Sequence, residues 1–465
     1  MFVLDCKDPR PLYVKLYNQI KNQILAGKLI SDTKLPSVRQ LSTELAISRN
    51  TVEYAYEQLC IEGFIYSRPR SGYYVAILDQ EYMSRSCQKE ATHTEPIIKD
   101  GQVYTFDFHP ACLSLDSFPS GIWRKLLTNC LQENLEQFTL YGDRQGEFNL
   151  RSEIQRYLER FRSVSCDPEQ IVICGGLEDS LSIIASIMQT DHSILATEDP
   201  GHWIPKSVFQ NYSFSISPIP VNSDGINLEY LKNTNSTIAY VTPSHQFPLG
   251  YVMPVENRLK LINWAESVGG VIIEDDYDSE LRYHGNPIPA LQGLQPKGNI
   301  IYIGTFSKVL SPALRVSYVV LPYQYLSKYN QLFRNYATKV ALLEQRTLYE
   351  FMKQGYWERH LRKMRTMYKR KHDAFIQSIY DHFGSKVKII GQGAGLHVVL
   401  ELINQSLDEK ELIHRARKKN VRVFPLSDTH QSDKNYPTRV MLGFGRMNPS
   451  ELEKGIELLA RAWEL

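Results

Sequence analysis

At 465 residues the chain is too long for one ordinary domain, so two or three units are expected. A hydrophobic share of 43% with 22% charged residues excludes global disorder, and a net charge of +2 excludes a uniformly basic protein of the histone type. The seven scattered cysteines form no CxxC, which argues for reduced thiols over a disulfide framework or a zinc site.

The first residues, MFVLDCKDPRP, lack a basic stretch followed by an apolar one, so no secretory leader is expected. No apolar run approaches the roughly 18 residues a membrane span needs. A cytoplasmic location with no membrane partner is expected. Neither HExxH nor a Walker loop occurs, and no metal is expected.

Residues 9–78 are densely patterned. Pro11 opens a helix with Leu12, Leu16, Ile20 and Ile24 on one face, ending near Gly27. A second helix follows Pro36, capped by Ser37, with Val38, Leu41 and Leu45 inward. Ser48 caps a third, with Val52, Ala55, Leu59 and Cys60 inward and Gly63 as its stop. The apolar runs 64–66 and 73–77 flank a turn at 68–72 and read as a hairpin. Three helices and a hairpin make an α+β winged helix-turn-helix head.

The head's basic excess is modest, and the placement of its charges says more. Arg39 lies on the second helix, Ser48, Arg49, Asn50 and Thr51 begin the third, and Arg68 and Arg70 sit in the wing. A helix entering the major groove presents its first-turn side chains to base edges, and hydroxyls such as Ser37 and Ser48 with helix N-terminal amides can hold phosphates. The motifs LPSVRQLS, SRNTV, AYEQLCIEG and the wing glycine resemble the GntR family of bacterial regulators. That resemblance makes Arg39, Arg49, Asn50, Thr51, Arg68 and Gly72 the DNA-facing positions and promoter DNA the partner.

Residues 79–103 show no sustained periodicity and read as a linker, with an irregular segment packed on a domain as the alternative. Residues 104–465 alternate helical patterns with short apolar runs at 171–174, 193–196, 238–241, 271–274, 300–303 and 316–321. Such alternation predicts an α/β body with a mostly parallel sheet covered by helices. Strands near 395–401 and 440–444 among long helices predict a small α+β lobe.

One segment of the body is chemically distinctive. GTFSKVLSPALR follows an apolar strand and places Lys308 after Thr305 and Ser307, with Arg315 seven residues on. A lysine that forms a Schiff base must be positioned and desolvated, and a phosphate needs a cation and hydroxyl donors. Upstream, IIEDDYDSE ends another strand with Asp275 and Tyr277, suited to a pyridine nitrogen and a ring hydroxyl. Together with TPSHQFPLG, these segments resemble class I aminotransferases, fold type I of the pyridoxal-phosphate enzymes, over residues 105–463. Joined to the GntR-like head, they resemble the MocR/GabR family of transcriptional regulators.

The resemblance implies pyridoxal 5'-phosphate as cofactor, with Lys308 as the Schiff-base lysine. It implies Asp275 on the pyridine nitrogen, Tyr277 on the ring hydroxyl, and Arg315, Thr305 and Ser307 on the phosphate. Tyr141 would reach the neighbouring subunit's phosphate in a head-to-tail homodimer. His202 stands where a stacking aromatic is expected, and His245 and Gln246 beside the ring oxygen. The phosphate turn, commonly Gly-Thr-Gln-like, reads Gly175-Gly176-Leu177-Glu178-Asp179, so Gly176 and Leu177 would contribute backbone while the hydroxyl is missing.

Relatives that respond to GABA carry two arginines where this chain has Ile204 and Asp428. Arg439 is the available substitute for binding an effector carboxylate, a structural ion pair being the other reading of it. The expected function is a bacterial DNA-binding regulator that senses pyridoxal phosphate or an amino compound reacting with it. The alternative is a working aminotransferase with an accessory DNA-binding head.

Overall fold

In the computed structural model, which describes residues 10–77, 103–133, 135–190, 193–283, 288–403, 407–432 and 436–465, the local signals resolve into two units, Met1–Gln102 and Val103–Leu465. The linker expected at 79–103 lies outside the described residues except for Val103.

The head contains helices α1 (Leu12–Leu25), α2 (Val38–Glu44) and α3 (Arg49–Ile61) and strands β1 (Ile65–Arg68) and β2 (Gly72–Val75). Ser37 Oγ accepts from Gln40 N–H and Ser48 Oγ from Thr51 N–H, each at 3.2 Å, so both serines satisfy helix-start amides. Leu16, Ile20 and Ile24 of α1 meet Leu41, Val52, Ala55, Leu59, Ile65 and Val75 in one core. Leu12, expected on that stripe, is 45% exposed, because the stripe starts a turn later. Tyr56 is buried instead, its hydroxyl donating to Pro36 O at 2.9 Å. The wing pairs Ile65 with Val75 and Arg68 with Gly72.

The body is built on an eight-stranded sheet, β4-β11-β10-β9-β8-β5-β6-β7. Its strands are β4 (Ile171–Cys174), β5 (Ile194–Asp199), β6 (Ser215–Asn222), β7 (Gly225–Ile226), β8 (Ile238–Val241), β9 (Val271–Asp276), β10 (Ile300–Thr305) and β11 (Ser317–Val320). β6, β5, β8, β9 and β10 run parallel, while β11 is antiparallel to both β10 and β4. Side chains alternate between two cores: Ile171, Ile173, Tyr302, Tyr318 and Val320 on one face, and Val172, Cys174, Ile301, Ile303 and Val319 on the other. Burial on both faces explains why the strands read as continuous apolar runs.

The remaining strands are β3 (Phe106–Asp107), β12 (Val387–Ile390), β13 (His397–Leu402), β14 (Val421–Arg422), β15 (Phe424–Pro425) and β16 (Arg439–Gly443). The small lobe orders four of these as β12-β13-β16-β15, and β3 pairs with β14. The long helices α4 (Tyr356–Phe383) and α5 (Pro449–Trp463) supply apolar faces, including Leu361, Phe375, Ile456 and Trp463, to the core the lobe shares with the sheet. Among the described residues, no helix is long and apolar enough to cross a membrane.

Candidate functional site: a lysine-centred cavity and an exposed basic helix start

In an open parallel sheet, ligand-binding groups collect beyond the carboxyl ends of the strands. Here β4, β5, β8, β9 and β10 end at one edge, and the antiparallel β11 starts there. That edge encloses a cavity of about 180 Å³ whose wall includes Leu177, His202, Asp275, Tyr277, Lys308 and Arg315.

Lys308 is aimed into the cavity by the residues around it. Phe306, Val309 and Leu310 are buried in the core, which leaves Ser307 and Lys308 to face the other way. Gly304 is required one step earlier: it pairs with Tyr318, and a Cβ there would strike the tyrosine ring. The Lys308 ammonium stands 5.9 Å from the Tyr277 ring centre. Burial lowers its pKa, with Asp278 and Asp275 opposing the shift. A lysine in that state is more readily a neutral amine.

Strand alternation separates the two aspartates of β9. Asp275 faces the cavity, where burial pushes its carboxyl up to about 7 against the hydrogen bond from the Tyr240 hydroxyl. Asp276 faces away into a buried ion pair with Arg162 at 2.6 Å and accepts from Tyr302 at 2.5 Å. Arg162 also donates to Ser244 Oγ at 3.0 Å and to Ile288 O, which ties the ends of β8 and β9 together.

His202 caps the helix Trp203–Asn211 by accepting from Ile204 N–H at 3.2 Å. Burial, with Lys308 nearby, lowers its pKa to about 4, so its ring is a neutral flat surface on the cavity wall at physiological pH. Ile204 and Phe247 extend the apolar part of that wall.

The helix Leu177–Met188 starts at Gly176, with φ 100, and the Arg315 guanidinium lies where a Cβ on Gly176 would stand. The Gly176 N–H is taken by Ser317 Oγ at 3.1 Å, so this glycine supplies room for Arg315 and not a free donor. Thr305 and Ser307 line the same corner. The Glu178 carboxylate accepts from Arg315 there, whereas Asp179 turns back to Gly175 N–H at 2.8 Å and Lys339 at 2.5 Å.

His245, Gln246 and Arg439 stand away from this cavity. His245 does not line the cavity; Asp278 holds its Nδ1 at 2.9 Å, and the Tyr277 hydroxyl lies 3.0 Å from the same nitrogen, so it stands behind Tyr277. Gln246 is likewise withdrawn, donating to Pro200 O at 2.9 Å. Arg439 pairs across the sheet with Glu401, and Nε and Nη2 reach the same carboxylate oxygen at 2.6 and 2.5 Å. It is therefore not a free partner for an effector carboxylate; it is Met441 of β16 that joins the apolar cluster against which Phe247 packs. Tyr141 is 96% exposed and does not line its own chain's cavity.

Sequence reasoning missed Tyr240, Thr242 and Phe247. Tyr240 lies on β8, whose apolar run marks the strand but not which residue reaches the cavity, and Thr242 and Phe247 follow in TPSHQFPLG, where the motif does not tell which side chains face inward.

In the head, Arg39, Arg49, Asn50 and Arg70 are exposed, and the three guanidinium groups make no ion pair with any described residue. Thr51 is half-buried, its hydroxyl 2.8 Å from Ser48 Oγ. Arg70 occupies the wing tip with φ 62, and Gly72 follows with φ 111. Arg68 is exposed but shared: it pairs with Asp32 at 2.7 Å and lies 4.4 Å from the Tyr74 ring centre.

Residues 12–75 match the bacterial regulatory proteins of the gntR family, and residues 119–459 match aminotransferase class I and II. The probable rhizopine catabolism regulatory protein MocR of Rhizobium meliloti is 32% identical over 479 residues, spanning 100% of this chain and 96% of the relative. The chain belongs to the MocR/GabR family of transcriptional regulators. The uncharacterized HTH-type transcriptional regulator YdeL of Bacillus subtilis is 38% identical over 98% of this chain and 97% of its own length. The pyridoxine biosynthesis transcriptional regulator PdxR of Corynebacterium glutamicum is 29% identical over 85% of this chain and 84% of its own.

Among solved structures, Pyrococcus horikoshii kynurenine aminotransferase matches with a TM-score of 0.71 at 24% identity, covering 78% of this chain and 92% of that one. This likeness gives the MocR/GabR body the aminotransferase fold. The chain is thus a bacterial helix-turn-helix regulator with an aminotransferase-like domain.

Proposed function

We propose that the body binds pyridoxal 5'-phosphate and that this cofactor is itself the signal the regulator reads. One observation carries the reading: among the described residues Lys308 and Arg315 are the cations of the cavity wall, and the neighbouring wall at Ile204 and Phe247 is apolar. A lysine committed to an aldehyde and one arginine can satisfy one anionic group. A cofactor phosphate together with an effector carboxylate would call for a second charge-assisted partner, and Arg439 is held by Glu401.

The donor set suits the cofactor. Arg315, seated in the room that Gly176 leaves beside Leu177, would hold the phosphate with the hydroxyls of Thr305 and Ser307. Asp275 would meet the pyridine nitrogen, Tyr277 the ring hydroxyl, and the His202 ring one face. When bound, pyridoxal phosphate supplies an aldehyde open to addition by amines. Lys308 would bring an amine whose pKa is lowered to that aldehyde, and the buried Asp275 would hold a proton at the ring nitrogen. The Corynebacterium glutamicum relative is a pyridoxine biosynthesis transcriptional regulator, which supports a cofactor-level signal here.

At the other end, Arg39, Arg49, Asn50, Thr51 and Arg70 would face promoter DNA with Ser37, Ser48 and Gly72, and Arg68 would join once it leaves Asp32. In a head-to-tail homodimer in the cytoplasm, the exposed Tyr141 would reach the neighbouring subunit's phosphate. The cofactor reading is tested by reducing the cofactor-treated protein with borohydride and mapping its peptides. The adduct is expected on Lys308; an adduct elsewhere, or none, overturns it.

A further inference from the structure

The two acids that open the helix Leu177–Met188 are used in opposite ways. Asp179 is buried and committed to its own turn, bonded to Gly175 N–H at 2.8 Å and to Lys339 at 2.5 Å. Glu178, one residue earlier, leans over the cavity corner and is bound by Arg315. Burial alone would raise the Glu178 pKa, but its own backbone N–H and Arg315 hold it below the ordinary value, so it is a carboxylate at neutral pH.

The pair stands where an incoming anion must go. Arg315 lies over Gly176 beside Thr305 and Ser307, and the other cation of the wall is Lys308. The side chains of Arg315 and Glu178 are 52% and 51% exposed. An ion pair that wet contributes only about 0–1 kcal/mol, so it exchanges readily. A phosphate ester approaching Arg315 meets a carboxylate already on its guanidinium and must displace it or share the cation against like-charge repulsion.

We propose that Glu178 is a built-in competitor for the phosphate site. It occupies Arg315 when no phosphate ester is present and holds the affinity for a phosphorylated ligand low enough for reversible uptake. The inference rests on the reading of the cavity as a pyridoxal-phosphate site and adds to it the residue that sets the response range. A regulator needs such a setting, because a ligand that never leaves reports nothing about its concentration.

The test is an equilibrium titration of cofactor-free, full-length protein with pyridoxal phosphate and, separately, with pyridoxal, which lacks the phosphate. Wild type, Glu178→Gln and Glu178→Ala are compared. Removing one like charge beside the phosphate should tighten pyridoxal phosphate by up to about fivefold in both variants. Pyridoxal affinity should stay unchanged, and inorganic phosphate should become a better competitor against pyridoxal phosphate. Unchanged pyridoxal phosphate affinity in both variants overturns the proposal. So does a parallel change for pyridoxal, which would report altered pocket shape. If wild type takes up no pyridoxal phosphate, the cavity reading itself falls; if wild type binds it and the variants match it, only the role of Glu178 falls.

Discussion

Asp275 and Asp276 are neighbours on one strand and serve opposite sides of the sheet. Asp275 faces the cavity beside Tyr240, and Asp276 faces a buried guanidinium, with the side chains of Arg162 and Asp276 only 3% and 1% exposed. Strand alternation alone produces this division, and it makes one aspartate a ligand candidate and the other a brace for it.

The brace is testable through stability. Replacing Asp276 by Ala leaves the Arg162 charge buried without its partner, which should cost about 3–5 kcal/mol in chemical denaturation. A loss below about 1 kcal/mol would show that the ion pair does not hold the ends of β8 and β9.

Asp275 is testable through pH. Its folded value, about 7, lies above the ordinary 3.8, because burial disfavours the carboxylate. The native protein therefore holds this proton more tightly than the unfolded chain. The stabilising share of Asp275 is complete below about pH 4 and is lost as pH rises through about 7. Asp275→Asn removes the dependence. In the cofactor-free protein, the melting temperature of the variant relative to wild type should climb by several °C between pH 5 and pH 8. A pH-independent difference contradicts the assignment. The same variant should bind pyridoxal phosphate more weakly.

Arg49 begins α3, exposed and without an ionic partner among the described residues. Arg49→Ala should weaken promoter binding by about 1–3 kcal/mol. Equal affinity for wild type and variant across a salt series would refute the docking of this helix on DNA.

Lys308→Ala should leave promoter binding by the cofactor-free protein intact, because the head has its own core around Leu16, Leu41 and Leu59. Its response to pyridoxal phosphate should be lost. A variant that still responds fully would mean that Lys308 does not read the cofactor.

Much of this molecule is legible in its sequence where the signal is local. Ser37 and Ser48 cap their helices because a serine at a helix start has a nearby amide to satisfy, and GTFSK places Lys308 because strand and turn are contiguous. Non-local pairing is harder to read. The strand Ser215–Asn222 carries Pro218 and Pro220, which argue against a strand in sequence; it tolerates them beside the sheet edge, where β7 pairs only with Val221 and Asn222. The reversed direction of β11 has no sequence signature. The sequence leaves Arg439 between an effector contact and a structural ion pair, because Glu401 becomes its neighbour only through the register of β13 and β16. His245 was drawn behind Tyr277 by Asp278, a pairing across two separate loops.

The central claim, that pyridoxal phosphate alone switches the regulator, is tested most directly by promoter binding with cofactor-free protein. The arms are no addition, pyridoxal phosphate, pyridoxal phosphate with GABA, and pyridoxal phosphate with a panel of α-amino acids. Losing two charge-assisted carboxylate contacts, each about 1.5–3 kcal/mol, makes GABA a poor effector by on the order of a hundredfold or more. The account predicts that pyridoxal phosphate by itself shifts promoter affinity and that GABA and the amino acids add nothing. An amino acid that produces the shift while the cofactor alone leaves affinity unchanged would contradict it.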